Sequence, residues 1–464
     1  MKKELVNILI NKLEGTNLPI DGVEFVLSKD EKILKKLAPL DKKVFNSAID
    51  IVMSYKNDLD IITAIDLLTN AREEVLQYLI KALTNADLIE KERAIYSARI
   101  IYESKNWYNA CYVYKALTNK NTINAGLVPD ATMIINQSKT EYNARYAYEV
   151  LTNKDALDAG IAPIGAMIVN LSKMEYNACY VCKVLTDKNV IDAGIAYDGA
   201  MIINQSETKY NARYAYEVLT SKNAIEGGMP LFGAKIINEA KTEYNAYYAY
   251  KVLTDSNAIE GLIDLEAAMI LSMSKTEYNA HYAYKVLTNR GAIKAEKALV
   301  GAIIINESKN WYNAYCAYLV LTNKDALDAG IAPIGAEMLN KIQNRDIAEY
   351  VCKVLTNENA IREGAVLEYA KIISRAKTIE IACFICGFLL GETTAGLDEK
   401  LSIATEIATF DSADQLAKKG YMLLLDDPDA RREKYFAELK KKMNVHGEGD
   451  IKVRSLAKKP SYEK

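Results

Sequence analysis

Apolar and polar positions recur along this chain with a fixed period of 34 residues. The period is clearest in the tripeptide Tyr-Asn-Ala, which recurs with no insertion or deletion between copies. Its tyrosines are Tyr108, Tyr142, Tyr176, Tyr210, Tyr244, Tyr278 and Tyr312. Weaker copies of the pattern open at Glu74, Asp346 and Glu380. A constant period of this length is typical of stacked supersecondary units, so we expect about ten repeats with atypical terminal copies.

Each repeat is predicted to contain two α-helices. Positions are counted from the repeated tyrosine as position 0. Ala144, Ala147, Tyr148 and Leu151 share one face, with the spacing of a buried helical stripe. Ser138 opens a Ser-Lys-Thr-Glu sequence that fits a capping box with the serine as N-cap. The Thr-Asn pair after the stripe is expected to end this first helix, because asparagine tolerates the left-handed conformation.

A second, shorter helix is expected after a turn at position 18, which is glycine in most copies. Those glycines are Gly126, Gly160, Gly194, Gly228, Gly330 and Gly364. Proline near position 21, as in Pro129, Pro163 and Pro333, is well tolerated in a first helical turn and places the start of the second helix there. Neither helix can bury its apolar face alone, so neighbouring repeats must stack into a continuous core.

This pattern resembles the tandem α-helical hairpin repeat proteins. Tetratricopeptide repeats share the 34-residue length, and HEAT and armadillo arrays share the stacking of helices, although the tetratricopeptide pattern of Trp, Leu-Gly, Tyr and a terminal Pro is absent. The resemblance implies an all-α fold, a right-handed α-solenoid (superhelix) of about ten 34-residue repeats. We expect a helical N-terminal cap at 1–60, the repeat solenoid at 61–400, a helical C-terminal cap at 401–443 and a flexible basic tail at 444–464.

Composition narrows the possible functions. The formal charge is −3, so no general field draws the chain to nucleic acid or anionic lipid. No apolar run reaches the roughly 18 residues of a membrane span, so we expect no membrane insertion. All seven cysteines lie inside the repeated helices, which favours reduced thiols and a cytoplasmic location. Tyrosine is enriched, with 31 Tyr against 7 Phe and 2 Trp, and the repeats must account for it.

Residues suited to a catalytic or metal site are scarce. The two histidines, His281 and His446, occupy a variable repeat position and the predicted tail, and no nucleophile elbow, P-loop or HExxH sequence occurs. Two Cys-x-x-Cys sequences, at 179–182 and 383–386, resemble half of a zinc site. A zinc site needs about four ligands, however, and both pairs fall at ordinary helix positions. We therefore expect a non-enzymatic protein with no metal and no cofactor.

Position 3 of the first helix is the strongest candidate for recognition of a partner. Helical geometry places it opposite the buried stripe, facing solvent, and its residues vary: Cys111, Arg145, Cys179, Arg213, Tyr247, His281 and Tyr315. Arginine and tyrosine dominate binding hot spots, and position 4 stays aromatic. The predicted binding residues are Arg145, Arg213, Tyr247, His281, Tyr315, Tyr146, Tyr214, Tyr248 and Tyr282. An ordinary alternative for the two arginines is an i,i+4 pair with Glu149 and Glu217.

The constant positions are expected to hold the repeats together. Tyrosine at position 6, as in Tyr148, shares the buried stripe and is predicted to be core. Tyrosines at positions 0 and 4 flank the stripe, where they pack between repeats with the hydroxyl at the rim or anchor a partner. Asparagine at positions 1 and 28, as in Asn143 and Asn170, is expected to hydrogen-bond between neighbouring elements.

The sequence therefore favours a scaffold, monomeric or dimeric, that binds a protein or peptide along the Tyr-rich face of its first helices. A single-stranded RNA or DNA binder is the main alternative, because lysine recurs at positions 12 and 31 and tyrosine rings can stack on bases. Acidic residues beside those lysines favour a mixed solvated surface instead. A self-assembling structural protein is the third possibility, and the degenerate, charged terminal repeats count against it.

Overall fold

The computed structural model describes residues 50–418, apart from residue 53 and residues 392–395. Throughout that part of the chain the regular structure is α-helical and no β-strand occurs, which confirms the predicted all-α class. Most of the predicted N-terminal cap, residues 419–443 of the C-terminal cap and the whole predicted tail lie outside the described residues. The chain divides into two compact units, Met1–Tyr250 and Lys251–Lys464.

A complete repeat contains three helices, whereas the sequence predicted two. A first helix of 11 or 12 residues is followed by a linker helix of 5 residues and a second helix of 9 or 10 residues. The two-helix prediction was therefore wrong in one respect, because the segment read as a turn contains a helix of its own.

In the first unit the helix Asp58–Asn70 precedes the repeats. The first helices are Glu73–Leu83, Trp107–Thr118, Glu141–Thr152, Glu175–Thr186 and Lys209–Thr220. The linker helices are Ala86–Glu90, Lys120–Asn124, Lys154–Asp158, Lys188–Asp192 and Lys222–Glu226. The second helices are Ala94–Glu103, Val128–Asn136, Ala162–Leu171, Ala196–Asn204 and Pro230–Glu239. The helix Glu243–Leu253 opens the following repeat.

The second unit continues the same order. Its first helices are Glu277–Leu287, Trp311–Thr322, Arg345–Leu355 and Ile379–Leu390. Its linker helices are Ser256–Glu260, Arg290–Lys294, Lys324–Asp328 and Glu358–Arg362. Its second helices are Asp264–Ser272, Ala298–Asn306, Ala332–Lys341 and Val366–Ser374. The helices Leu397–Ala408 and Ala413–Lys418 follow.

The core of each unit lies between neighbouring first and second helices. Glu141–Thr152, for example, packs against the second helix of its own repeat, Ala162–Leu171, and against the first helices of the repeats before and after it. Ala144, Ala147 and Leu151 are completely buried, which confirms the predicted stripe. A Cβ added at Gly165 would lie only 3.1 Å from side-chain atoms of Val150 and Leu185. The second helix can approach both first helices this closely because that position carries almost no side chain.

The first helix is capped two residues later than the sequence predicted. Thr140, and not Ser138, is the N-cap of Glu141–Thr152, and its Oγ1 accepts a hydrogen bond from the Asn143 amide at 3.2 Å. Ser138 instead donates through Oγ to Asn170 Oδ1 of the following second helix at 2.7 Å. The serine is recruited for contact between repeats, so the threonine satisfies the helix start.

The predicted left-handed asparagine at the end of the first helix was also wrong. Asn153 has extended backbone angles, φ −74° and ψ 127°, and its side chain accepts a hydrogen bond from the Ala156 amide at 2.9 Å. It is therefore the N-cap of the linker helix. The left-handed residue is Gly160 at position 18, with φ +71°, as the predicted turn required. Pro163 lies in the first turn of the second helix, as predicted.

Asparagines at positions 1 and 28 join the elements, which confirms their predicted structural role. Asn143 Nδ2 donates to the carbonyl oxygens of Val169 at 2.7 Å and Ser172 at 3.2 Å, both at the end of the second helix. Asn170 Nδ2 donates to the Ile134 carbonyl in the preceding second helix at 2.8 Å. These bonds give carbonyl groups near the ends of the second helices a donor from another element. Asn279 and Asn306 repeat the arrangement in the second unit.

Candidate binding surface on the first helices

Two of the predicted binding residues, Arg145 and Arg213, face solvent as expected. Their side chains are 55% and 48% exposed. Arg145 Nε lies 3.0 Å from Glu149 Oε1, and Arg213 Nε lies 2.8 Å from Glu217 Oε1. The predicted i,i+4 pairs are therefore present, and each stabilises its helix by only about 0.2–0.5 kcal/mol. The two arginines are available to a partner at a small cost in folding stability.

The aromatic residues at position 3 are only half-exposed, which corrects the expectation that they face solvent. Tyr247 packs edge-on against Tyr214 of the preceding first helix, with ring centroids 5.7 Å apart. In the second unit, Tyr315 lies 5.7 Å from Tyr282, and His281 lies 5.1 Å from the same ring. The two arginines also approach a neighbouring ring, with guanidinium carbons 5.2 Å from the centre of Tyr146 and 5.4 Å from that of Tyr214. Their longer side chains nevertheless keep about half of their surface exposed.

Position 4 divides into buried and half-buried tyrosines. Tyr214 and Tyr248 are only 3% and 6% exposed, so neither can be a direct contact residue, and the prediction for these two was wrong. Tyr146 and Tyr282 are half-buried. The cause is the packing of consecutive first helices, which brings position 4 of one repeat beside position 6 of the next.

This packing forms a ladder of tyrosine rings between repeats. Tyr214 stacks on Tyr250 at 5.6 Å, and Tyr282 stacks on Tyr318 at 5.7 Å. Two further pairs are tilted, Tyr112 with Tyr148 and Tyr180 with Tyr216. The position-6 tyrosines were predicted to be core, but those at 114, 148, 216, 250 and 284 are half-buried. The ladder therefore accounts for much of the tyrosine enrichment, because one face of each paired ring is already covered.

Electrostatics leaves the aromatic part of the surface uncharged at neutral pH. Burial, and then the charge of Lys285, lower the pKa of His281 from 6.5 to about 4, so its imidazole is neutral. Burial also raises the pKa of Tyr282 and Tyr315. Position 3 in the first unit carries the two paired arginines, while in the second unit it carries a neutral imidazole and a phenol.

Two cysteines, Cys182 and Cys316, lie in environments that suppress thiolate formation. Cys182 Sγ donates to Glu149 Oε2 at 3.6 Å, and burial raises the pKa of the Cys182 thiol. Cys316 and Cys352 occupy the position 4 and 6 pair where other repeats place two tyrosines. Cys352 Sγ donates to the Cys316 carbonyl at 3.7 Å, and the adjacent Cys352 thiol together with burial raises the pKa of Cys316. Reactive cysteines have lowered pKa values. Among the described residues, no group of three or more His, Cys, Asp or Glu side chains is arranged to hold a metal ion.

The second helices carry an exposed apolar row that the sequence reasoning missed. Ile164, Met167 and Leu171 are 54%, 45% and 64% exposed and follow one face of Ala162–Leu171 at i, i+3 and i+7. In the second unit, Val300 and Ile303 occupy the repeat positions of Ile164 and Met167 and are also exposed. The available signal was a second apolar periodicity at positions 22 and 25, beside the buried Ala and Ile residues of the same helix.

No protein-family model matches the chain, and no curated protein matches it either. None of the helices in the described part of the chain is both long and apolar enough to cross a membrane.

Proposed function

We propose that this protein is a non-enzymatic, cytosolic repeat scaffold that binds a protein or peptide partner along the Tyr-rich face of its first helices. We propose with it that the repeats number about ten and stack in a right-handed sense. All seven cysteines lie within first helices of the repeats, which supports the reducing location. Crystallographic determination of the complete chain would test the repeat number and handedness.

The observation that carries the proposal is the contrast between constant and variable positions of the first helix. Asparagine at position 1 recurs in all seven Tyr-Asn-Ala copies, and tyrosine at position 4 in six of them, with Cys316 the exception. They recur because neighbouring repeats use them in hydrogen bonds and ring contacts. Position 3 lies on the same helix, retains exposed surface and changes between arginine, tyrosine, histidine and cysteine. Arginine and tyrosine there are the residue types that dominate binding hot spots. Tyr214 and Tyr248 support the surface from beneath.

Affinity capture with the full-length chain, followed by binding measurements on the captured partner, tests this function. Arg145→Ala with Arg213→Ala should weaken binding at least about tenfold, or 1.4 kcal/mol, and leave the melting temperature nearly unchanged. Lys222→Ala is the matched control, because Lys222 forms a similar exposed i,i+4 pair with Glu226 on a linker helix. Unchanged affinity in the folded double variant would show that the first unit binds through another face.

The second unit needs its own variants, because its position-3 residues are half-buried. His281→Cys with Tyr315→Cys uses a residue that this position already accommodates at Cys111 and Cys179. We expect a similar loss of affinity at nearly constant stability. A loss of affinity that only accompanies a lower melting temperature would assign these rings to packing.

A single-stranded nucleic acid binder makes a different prediction. Its complexes must weaken steeply as salt rises, because each neutralised phosphate releases counterions. The tyrosine ladder counts against it, since Tyr214 and Tyr282 already stack on rings of the next repeat. Capture that disappears after nuclease treatment, and that Lys139→Glu, Lys173→Glu and Lys241→Glu abolish, would establish this alternative. End-to-end self-assembly would instead appear as concentration-dependent growth in light scattering.

A further inference from the structure

An arginine in the second unit is held against two aromatic rings on the surface. The guanidinium carbon of Arg345 lies 4.9 Å from the ring centre of Trp311 and 4.6 Å from that of Tyr312. Trp311 and Tyr312 meet edge-to-face at 5.4 Å, and Tyr278 adjoins the indole at 6.4 Å. Arg345 is exposed, and Tyr278 is 51% exposed. We call these four residues the Arg345 cluster.

The cluster arises from the repeat register. Trp311 and Arg345 occupy the same position, one residue before position 0, in consecutive repeats. Each is the first residue of its first helix, Trp311–Thr322 and Arg345–Leu355. The two side chains therefore meet because those helices pack side by side. In the repeats that start at Tyr142, Tyr176 and Tyr244, the same position is a glutamate.

The guanidinium of Arg345 has aromatic neighbours but no carboxylate partner among the described residues. Arg145, Arg213 and Arg362 all pair with a glutamate four residues away. The glutamate at the same spacing from Arg345 is Glu349, and it pairs with Lys353 Nζ at 2.8 Å. The N–H donors of Arg345 are therefore left to solvent, while the two rings lie against the guanidinium.

A guanidinium held against aromatic rings and without a carboxylate partner is suited to bind a carboxylate. Its planar fork matches two carboxylate oxygens, and the ring contacts restrain the side chain before a ligand arrives, which reduces the entropy lost on binding. Lys309, two residues before Trp311, is exposed and adds positive charge to the segment that leads into the helix. The exposed ring of Tyr278 offers apolar area beside the indole. Trp, Tyr and Arg are also the residues enriched in binding hot spots.

We propose that the Arg345 cluster binds an acidic peptide segment. Arg345 donates two hydrogen bonds to the carboxylate of an Asp or Glu side chain in a bidentate pair, and Tyr278 with the edge of Trp311 contacts an aromatic or aliphatic neighbour of that residue. This inference rests on the proposed peptide-binding function and names a partner class for the N-terminal ends of the first helices, separate from position 3.

The test uses the full-length chain with Trp107→Phe, so that Trp311 is the one tryptophan left. Random peptides displayed on phage are selected on this protein, and binding of the enriched peptides is followed by Trp311 fluorescence. We expect enriched sequences with Asp or Glu beside an aromatic or aliphatic residue. Replacing that acid by its amide should weaken binding about tenfold or more.

Protein variants then locate the site. Arg345→Ala and Arg345→Lys should both weaken binding about tenfold, because lysine keeps the charge but loses the planar fork of N–H donors. Arg290→Ala is the matched control, since Arg290 is an exposed arginine of the same unit whose Nε donates to Asn257. An unchanged melting temperature of each variant would show that the loss of binding is not caused by unfolding.

Each contrary outcome overturns a defined statement. Selected peptides that lack Asp and Glu, or equal peptide binding by the wild type and Arg345→Ala, would overturn the proposal that the Arg345 cluster binds an acidic segment. If peptide binding is lost only in His281→Cys with Tyr315→Cys, the proposed peptide-binding function still stands. Failure to enrich any peptide would count against both. Tighter binding of a single-stranded oligonucleotide than of the acidic peptides, lost in Arg345→Ala, would assign the cluster to phosphate instead.

Discussion

Position 18 of the repeat offers a sharp test of backbone strain, because not every copy is glycine. Six glycines there have φ between 69° and 74°. Leu262 and Glu296 hold the same place with φ of 56° and 57°. The Leu262 amide donates to the Ile259 carbonyl, so its helix ends with the same geometry as the glycine copies. The side chain is 88% exposed and contributes little packing. Leu262 therefore carries the steric cost of the left-handed conformation without compensation.

Leu262→Gly should stabilise the second unit. A side chain in the left-handed region costs about 1–2 kcal/mol, which glycine would remove. Glycine also stabilises the unfolded chain through its greater freedom, and this offsets about 0.4–1 kcal/mol of the gain. The net gain is about 0.5–1 kcal/mol. Because repeat arrays open locally, the assay is hydrogen exchange of residues 256–272 by mass spectrometry. Exchange should slow about two- to fivefold, since 1.4 kcal/mol is tenfold.

Leu262→Ala separates the backbone effect from the removal of an exposed apolar side chain. Alanine keeps the Cβ and therefore most of the strain, so we expect little or no gain. Equal stabilisation by alanine and glycine would refute the argument from backbone strain, as would destabilisation by glycine. The reverse change, Gly330→Ala, places a Cβ in open space and should cost about 1 kcal/mol from conformation alone.

Three further changes test the packing of the repeats. Met174→Thr should stabilise by about 1 kcal/mol in urea denaturation, because Met174 is an N-cap without a side-chain hydrogen bond and the buried Asn177 Oδ1 below it lacks a donor. Asn143→Ala should destabilise by about 2 kcal/mol in the same assay, since it removes two buried hydrogen bonds to the carbonyl oxygens of Val169 and Ser172. His281→Tyr should flatten the fall in melting temperature between about pH 6.5 and pH 4. The folded-state pKa of His281 lies below 6.5, so acid protonates the unfolded chain first and destabilises the fold.

The all-α class could be predicted from the sequence because the repeat displays its helical period many times. Ala144, Ala147 and Leu151 lie where the stripe required, and Gly160 is left-handed where the turn required it. Such features depend on contacts within one repeat and on the steric limits of single residues. A local signal that is ambiguous in a single copy becomes decisive when many copies of the repeat show it.

The features that the sequence did not predict depend on contacts between elements. The linker helix Lys154–Asp158 has only 5 residues, too few to show a helical period, so its N-cap asparagine was read as the end of the preceding helix. Ser138 and Thr140 are both competent caps, and only the position of Asn170 in the next repeat decides between them. Tyr214 is buried because Tyr250 covers it, a residue in another repeat that no local pattern identifies.

Part of the candidate binding surface could be predicted for the same reason. The exposed arginines follow from helical geometry alone, whereas the exposure of Tyr247 and Tyr315 depends on rings of adjacent helices. Arg345 and Trp311 could not be paired from the sequence, because their contact requires the packing of two first helices. The apolar row at Met167 was detectable but was masked by the stronger buried stripe of the same helix.

The structure changes how constancy within the array should be interpreted. Asn143, Asn170 and Gly165 recur between copies because neighbouring elements use them in hydrogen bonds or close approach. A side chain that already makes such contacts is not available to bind a partner, even where the sequence pattern suggests that it is exposed. The variable positions remain, and they include position 3 and the residue before position 0, where Arg345 lies. Since packing leaves these positions free to differ, differences there provide the chemistry by which one repeat can be distinguished from the next.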